Sequence, residues 1–273
     1  MTLIIISAEI DLSVASTLGL CSAVMGKLWV AGLPLEVIVV IVLVLGAILG
    51  AVNGVLVTAF GLPSLAVTIG TLALYRGLAF VVLGDQAVAD FPATWTSAAT
   101  STIGGWLPTM LLPVLVLAAI FGVVLHATPL GRALFALGNN AEASTFTGVS
   151  VARTKLWLFV VSGAVSGLAG IFWTLRYASA RADNGTGLEL AVIAAVLLGG
   201  VSIFGGRGSL PGVLAGVLLL ASLRNALQLA DVSADALTIV TGSLLILSVV
   251  APNVLSLTRS WLRRRRSTAA GPD

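Results

Sequence analysis

The chain has 273 residues, 58% of them hydrophobic and 9% charged, with 30 glycines and a mean hydropathy of +1.12. Globular soluble domains carry about a quarter charged residues, so this composition excludes one and points to an all-α, polytopic transmembrane helical bundle. The net charge of +3 is no nucleic-acid signature, because four arginines, Arg263, Arg264, Arg265 and Arg266, sit together just beyond the last apolar run, where cytoplasmic anchoring explains them.

A helix needs about 20 apolar residues to cross the hydrocarbon core. The chain opens with MTLIIISA, which is apolar but too short to span, and runs into a polar break at residues 9–13 without a signal-peptide pattern. It reads as the tail of a further helix. Apolar runs follow at residues 13–31, 34–58, 64–83, 106–127, 155–177, 188–204, 210–229 and 236–255, which predicts about eight full spans. Turn residues mark their ends: Gly32 with Pro34, Gly61 with Pro63, Gly205 with Gly206 and Gly208, and the stretch 231–235. The first run holds Cys21, the one cysteine, which excludes a disulfide within the chain and a thiolate metal site and leaves a packing role. His126, also alone, ends an apolar run as an interfacial side chain.

The longest polar interruption is 129–155, edged by Arg132, Arg153 and Lys155. Within it, residues 139–147 read as a short helix outside the bilayer, closed by Gly148. Lysine and arginine are retained on the cytoplasmic side of short loops. Placing this stretch inside also places Arg207 and the terminal arginines inside, while the loops 84–105 and 230–235, which have aspartates and no basic residue, lie outside. Lys27, Arg176 and Arg181 are the exceptions. Residues 1–258 then form one transmembrane domain with a cytoplasmic loop at 128–154, and residues 259–273 a basic, disordered cytoplasmic tail.

Sliding the sequence along itself by 172 residues superposes Asp11 on Asp183, Asn53 on Asn225, Leu65 on Leu237, Gly70 on Gly242 and Leu72 on Leu244. The first full run falls on the sixth, an odd number of crossings away, so the two copies are expected to lie inverted in the bilayer, as in many transporters. The counterpart of 155–177 falls before residue 6, and the expectation is that at least one N-terminal helix of the pattern is missing.

Several blocks resemble the permease subunits of ATP-binding-cassette importers for sugars, the family of the ribose, xylose, rhamnose and autoinducer-2 permeases. They are IDLSVAS (10–16), NGVLVTAFGLPSLAVTIGTLALYRGLA (53–79), GRALFALGNNAEASTFTGVSVARTK (131–155), SGAVSGLAGI (162–171) and GTGLELAVIAAVLLGGVSIFGGRGSLPGVLAG (185–216). The match covers nearly the whole chain in order and spacing. The chain departs from the family at Ala8, Glu9 and Ala15, where glycines are usual, and members are usually longer at the N-terminus, with ten helices. The resemblance implies a multi-pass protein of the bacterial inner membrane with a cytoplasmic C-terminus. Its implied partners are a second permease subunit, cytoplasmic ATPase subunits that handle ATP-Mg, and an extracytoplasmic sugar-binding protein. A branched-chain amino-acid permease is the neighbouring reading, and an ion-coupled secondary carrier the reading from another class.

The resemblance further implies that the short helix docks into a cleft on the ATPase. Glu142-Ala143-Ser144 with Gly148 is similar to the EAA…G signature of importer permeases, and Asn139 stands at the start of that helix. Small residues let a helix sink into a cleft, an acidic residue near its start complements the helix dipole, and glycine permits a sharp exit. Arg76 is the one basic side chain well inside an apolar run, where burial demands compensation; it faces other helices or snorkels to an interface. Asp11 and Asp183 stand at equivalent breaks and either line a pathway or cap a helix. Sugars demand hydroxyl-directed hydrogen bonds, which makes Asn53, Thr71, Tyr75 and Asn225 candidates for lining the pathway or for holding helices together. Glu189 and Arg181 either pair at the outer mouth or stand on a solvated face. The glycines of GAVSGLAG and GVLAG let helices approach closely. GGRGS at 205–209 lacks the G-x-x-x-x-G-K-[ST] spacing, and Gly26-Lys27 is followed by Leu28, so no nucleotide cradle and no cofactor site is expected in this chain. One histidine and no acid/base or metal constellation argue against an enzyme.

Overall fold

The computed structural model describes residues 1–146, 148–233, 236–248 and 250. In chain order these form α1 (Thr2–Ile6), α2 (Val14–Val30), α3 (Leu35–Thr58), α4 (Ser64–Leu83), α5 (Ala93–Thr100), β1 (Thr102–Ile103), β2 (Leu107–Pro108), α6 (Leu111–Ala127), α7 (Pro129–Asn139), α8 (Ala141–Phe146), α9 (Val151–Tyr177), α10 (Leu188–Leu198), α11 (Leu210–Leu229) and α12 (Ala236–Ser248). The expected basic tail at 259–273 and the arginines 263–266 lie outside the described residues, as do Asp235 and the end of the last predicted run.

Local chemistry sets the helix ends. Pro34, Pro63 and Pro92 stand in extended conformation immediately before α3, α4 and α5, where a fixed φ and a missing N–H cost nothing. Thr128 and Ser209 cap α7 and α11, their hydroxyls accepting from the Gly131 and Gly212 amides at 3.3 Å. Each predicted apolar run contains a helix, but the expected eight full spans are not matched by helix length. Among the described residues four helices are long and apolar enough to cross a membrane, α3, α4, α9 and α11, and a fifth if α6 and α7, bent by 71°, count as one. Two runs are shorter than predicted for stated reasons. The antiparallel β1–β2 hairpin takes up residues 102–108, delaying α6 to Leu111, and Gly199 with Gly200 at φ +84° ends α10 after Leu198.

The bundle is organised around α9, 27 residues long. α3 lies antiparallel to it through facing glycines: a Cβ on Gly46 would stand 3.1 Å from the Gly167 Cα, and one on Gly50 3.1 Å from the Gly163 Cα. This is backbone-to-backbone packing of the kind that small residues permit in membranes. α2 runs parallel to α9, its Ser22 hydroxyl 2.7 Å from that of Thr174 and the preceding Asp11 reached by Ser162. Cys21 is fully buried in the cluster formed with Met25, Ile38, Val42, Ile171 and Leu175, with its Sγ 3.7 Å from the Val42 carbonyl. It packs and does nothing else visible. Val40, Val44 and Ile48 on α3, Val81 on α4 and Leu218 on α11 are exposed, as lipid-facing side chains should be.

Shifting the helix bounds by 172 residues lays α2 (14–30) on 186–202 around α10, α3 (35–58) on 207–230 around α11, and the start of α4 (64) on the start of α12 (236). The end of α1 at residue 6 falls on 178, one past the end of α9. α2 and α10 run in opposite directions: Gly185 abuts Leu18, whereas the Gly206 amide donates to the Ile6 carbonyl at 2.8 Å.

Candidate functional site

Two polar features stand out from the apolar bundle. The first is built on the break between α1 and α2. Asp11 there is 2% exposed, yet three donors hold its carboxylate: the Ser13 amide at 3.0 Å, the Ser13 hydroxyl at 2.6 Å and the Ser162 hydroxyl of α9 at 2.8 Å. The Asn53 amide of α3 donates to the Ser13 hydroxyl at 2.8 Å, and the Tyr75 hydroxyl of α4 donates to the Leu49 carbonyl at 2.9 Å and to the Asn53 side-chain carbonyl at 3.4 Å. Asp11 thus holds Ser13, the residue before α2, and ties it to α9. The network joins α2, α3, α4 and α9 in a region where an unpaired carboxylate would be costly.

Arg76 of α4 is turned toward other segments of the bundle. Its guanidinium donates to the Ala182 and Asn184 carbonyls at 2.7 and 2.9 Å, in the break between α9 and α10, and to the Ala15 carbonyl at 3.2 Å, at the start of α2. One cation therefore joins the α9–α10 break to the first turn of α2. Asn184 continues the line, donating to the Ser22 hydroxyl at 2.8 Å.

The structure does not bring every expected residue to this cluster. Thr71 is buried but its hydroxyl bonds to the Val67 carbonyl of its own helix at 3.1 Å. Asn225 is exposed on α11, away from Asp11. Arg181 pairs with Asp183, Nε to Oδ1 at 2.8 Å, and not with Glu189, the first of its two sequence readings. That hydrogen bond is the main reason the Asp183 carboxyl is held below its ordinary 3.8. His126 accepts from the Leu210 amide at 3.2 Å, at the start of α11. Ser13, Ser162 and Asn184 were not anticipated. An apolar cavity of about 410 Å³ lies beside the cluster, lined by Val14, Leu18, Val165, Val192 and Leu214, with Thr2, Ser162 and Ser166 as its polar side chains.

The second feature is the segment between α6 and α9. The predicted short helix at 139–147 is shifted: Asn139 ends α7, Asn140 is extended, and α8 begins at Ala141. The Asn140 side chain accepts from the Ala143 amide at 2.9 Å, which caps the new helix. Glu142 lies in its first turn, exposed with Ala143, Thr145 and Phe146, and Ser144 turns inward, its hydroxyl donating to the Asn140 carbonyl at 2.8 Å. Gly148 follows at φ +82°, and the Val149 amide closes back on the Ser144 carbonyl at 3.3 Å. Thr147 lies outside the described residues. Asn139 instead faces the α10–α11 turn, donating to the Phe135 carbonyl at 2.8 Å and to the Gly206 carbonyl at 3.4 Å.

A bonded polar break inside an apolar helical bundle, with an exposed short helix between two apolar segments, is consistent in class with a helical membrane permease. The family model described as "Branched-chain amino acid transport system / permease component" matches residues 1–249, and the chain belongs to that family. Similar curated proteins include the "Autoinducer 2 import system permease protein LsrD" of Yersinia enterocolitica, 34% identical over 98% of this chain and 83% of that protein. The proteins of the same name from Yersinia pseudotuberculosis and Yersinia pestis are each 34% identical over 99% of this chain and 84% of theirs. No solved structure matches significantly. The chain is a multi-pass membrane permease subunit of an ATP-binding-cassette import system.

Proposed function

We propose that this chain forms half of a solute pathway for a monosaccharide or similar small polyol-like molecule. A second permease subunit forms the other half, two cytoplasmic ATPases that bind ATP-Mg drive it, and an extracytoplasmic binding protein feeds it. The observation that carries this reading is α8: a capped helix of small residues with an exposed Glu142 and the Gly148 exit, held between two membrane segments. A cleft on the ATPase accepts such a helix, with Glu142 meeting a basic side chain there. ATP binding draws two such helices together and shifts the bundle between two packings, inward-open and outward-open. The helix bounds at an offset of 172, with α2 and α10 antiparallel, support an inverted repeat of about eight crossings whose C-terminus is cytoplasmic.

The printed name of the relatives supports a sugar-type solute over a branched-chain amino acid, the other solute class in the family's description. Asp11, Asn53, Tyr75 and Arg76 flank the pathway by holding its breaks in place; Thr71 and Asn225 are assigned to packing and to a surface. The test replaces Glu142 with lysine, or Gly148 with leucine, and measures co-purification of the cognate ATPase with uptake of solutes found by ligand screening of the binding protein. The reading expects association and uptake to fall together by about tenfold or more. Unchanged association in both variants removes α8 from the mechanism.

A further inference from the structure

Beyond the docking helix, the structure holds a joint that the sequence did not reveal. Lys155, in the second turn of α9 after the α8 segment, forms an ion pair with Glu9, in the break that leads to Asp11. Both side chains are largely withdrawn from solvent, at 20% and 12% exposure. The break is gripped at the same level by the other end of the external segment. The Gly206 amide donates to the Ile6 carbonyl at 2.8 Å, Asn139 reaches the Gly206 carbonyl, and Gly138 is seated directly on the Ile6 carbonyl, where no Cβ would fit. Ala8 sits between these grips at φ +63°, a conformation an alanine adopts only when its surroundings impose it.

We infer that the Glu9–Lys155 ion pair, with the Asn139–Gly206 contact, is the joint through which movement of α8 reaches the Asp11 break, so that Glu9 and Lys155 are positioning residues for gating. The inference rests on the coupling reading of α8 and extends it. A largely buried pair resists separation, because pulling it apart leaves each charge poorly solvated. The base of α9 and residues 6–9 therefore move as one body. Ile6 and Glu9 lie at one end of the break, while Asp11 at the other end is bonded to Ser13 and, through it, to Asn53. A displacement of α9 relative to α3 must then pull on the carboxylate network beside the cavity. Contiguous bonded contacts of this kind are the physical route by which a coupling energy travels.

The test uses the full chain co-expressed with its cognate ATPase in membranes. A cysteine at Val14, on the cavity wall, reports access through its rate of reaction with a small methanethiosulfonate; Cys21 is buried and stays in place, with the parent chain as blank. The variants are Glu9→Gln, Lys155→Met and the exchanged pair Glu9→Lys with Lys155→Glu. Adding ATP-Mg to the Val14→Cys chain is expected to change the labelling rate by about tenfold, both single variants made in that chain to lose that change while keeping ATPase association and hydrolysis, and the exchanged pair to regain it. Persistence of the nucleotide-dependent change in Glu9→Gln overturns the inference. So does joint loss of association and labelling response in all three variants, which marks the pair as merely structural. A Val14→Cys chain that keeps its ATPase but whose labelling ignores nucleotide removes the coupling reading itself, and the joint with it.

Discussion

Asp11 shows how the interior of a helical bundle holds a carboxylate: three hydrogen-bond donors replace the water it has lost. Removing one donor should cost less than removing the acceptor. Ser162→Ala is expected to lower stability by about 1 kcal/mol and Asp11→Ala by about 2 to 3 kcal/mol, because the second leaves the Ser13 and Ser162 donors unpaired. Thermal unfolding of the purified variants in detergent checks the order, and a Ser162→Ala loss equal to that of Asp11→Ala would contradict it. Outside the bundle, the Arg181–Asp183 pair is about half exposed on both sides and so is screened. Because the Asp183 carboxyl is depressed in the fold, its small contribution is present above its unfolded value and lost as pH falls through the depressed one. Asp11, Asn53, Tyr75 and Arg76 were legible as polar residues in apolar runs. Ser13 and Ser162 were not, since a serine is common in membrane helices and shows its role only when a partner arrives from another helix. Glu9 and Lys155 stand 146 positions apart, and neither carries any mark of the other.

At the level of elements, the glycines divide by what lies opposite them. A Cβ on Gly50 runs into the Phe159 carbonyl of α9, whereas one on Gly70 of α4 meets nothing within 4 Å. Gly50→Ala is therefore expected to force α3 off α9 and cost about 1 to 3 kcal/mol. Gly70→Ala should be neutral or stabilising by up to about 1 kcal/mol from helix propensity, unless another protein covers that face. Expression level and thermal stability of the pair of variants decide this, and equal losses would contradict the packing account. The sequence showed that glycines pack helices but not which ones, because facing partners on α3 and α9 lie more than a hundred residues apart. Helix ends were legible where proline and glycine mark them, as at Pro34, Pro63 and Gly148. They were missed where a hairpin intervenes at 102–108, and where Asn140 splits what looked like one short helix from 139.

For the whole molecule, the pattern that sequence carries best is the alternation of oil and polarity, which gave a polytopic helical bundle and singled out 129–155. The proposed inverted arrangement was legible only as scattered matches at an offset of 172, an offset that the helix bounds also follow. Asn225 falls on Asn53 at that offset, but symmetry in sequence did not carry symmetry in burial: Asn53 faces Ser13, while Asn225 is exposed. Everything in the transport account depends on α8 facing the cytosol, where an ATPase can hold it. The direct measurement is labelling of a Thr145→Cys chain by a membrane-impermeant maleimide, in intact cells and in inside-out vesicles, with buried Cys21 as the silent background. The account predicts labelling in inside-out vesicles and none in intact cells; labelling from outside intact cells would contradict it.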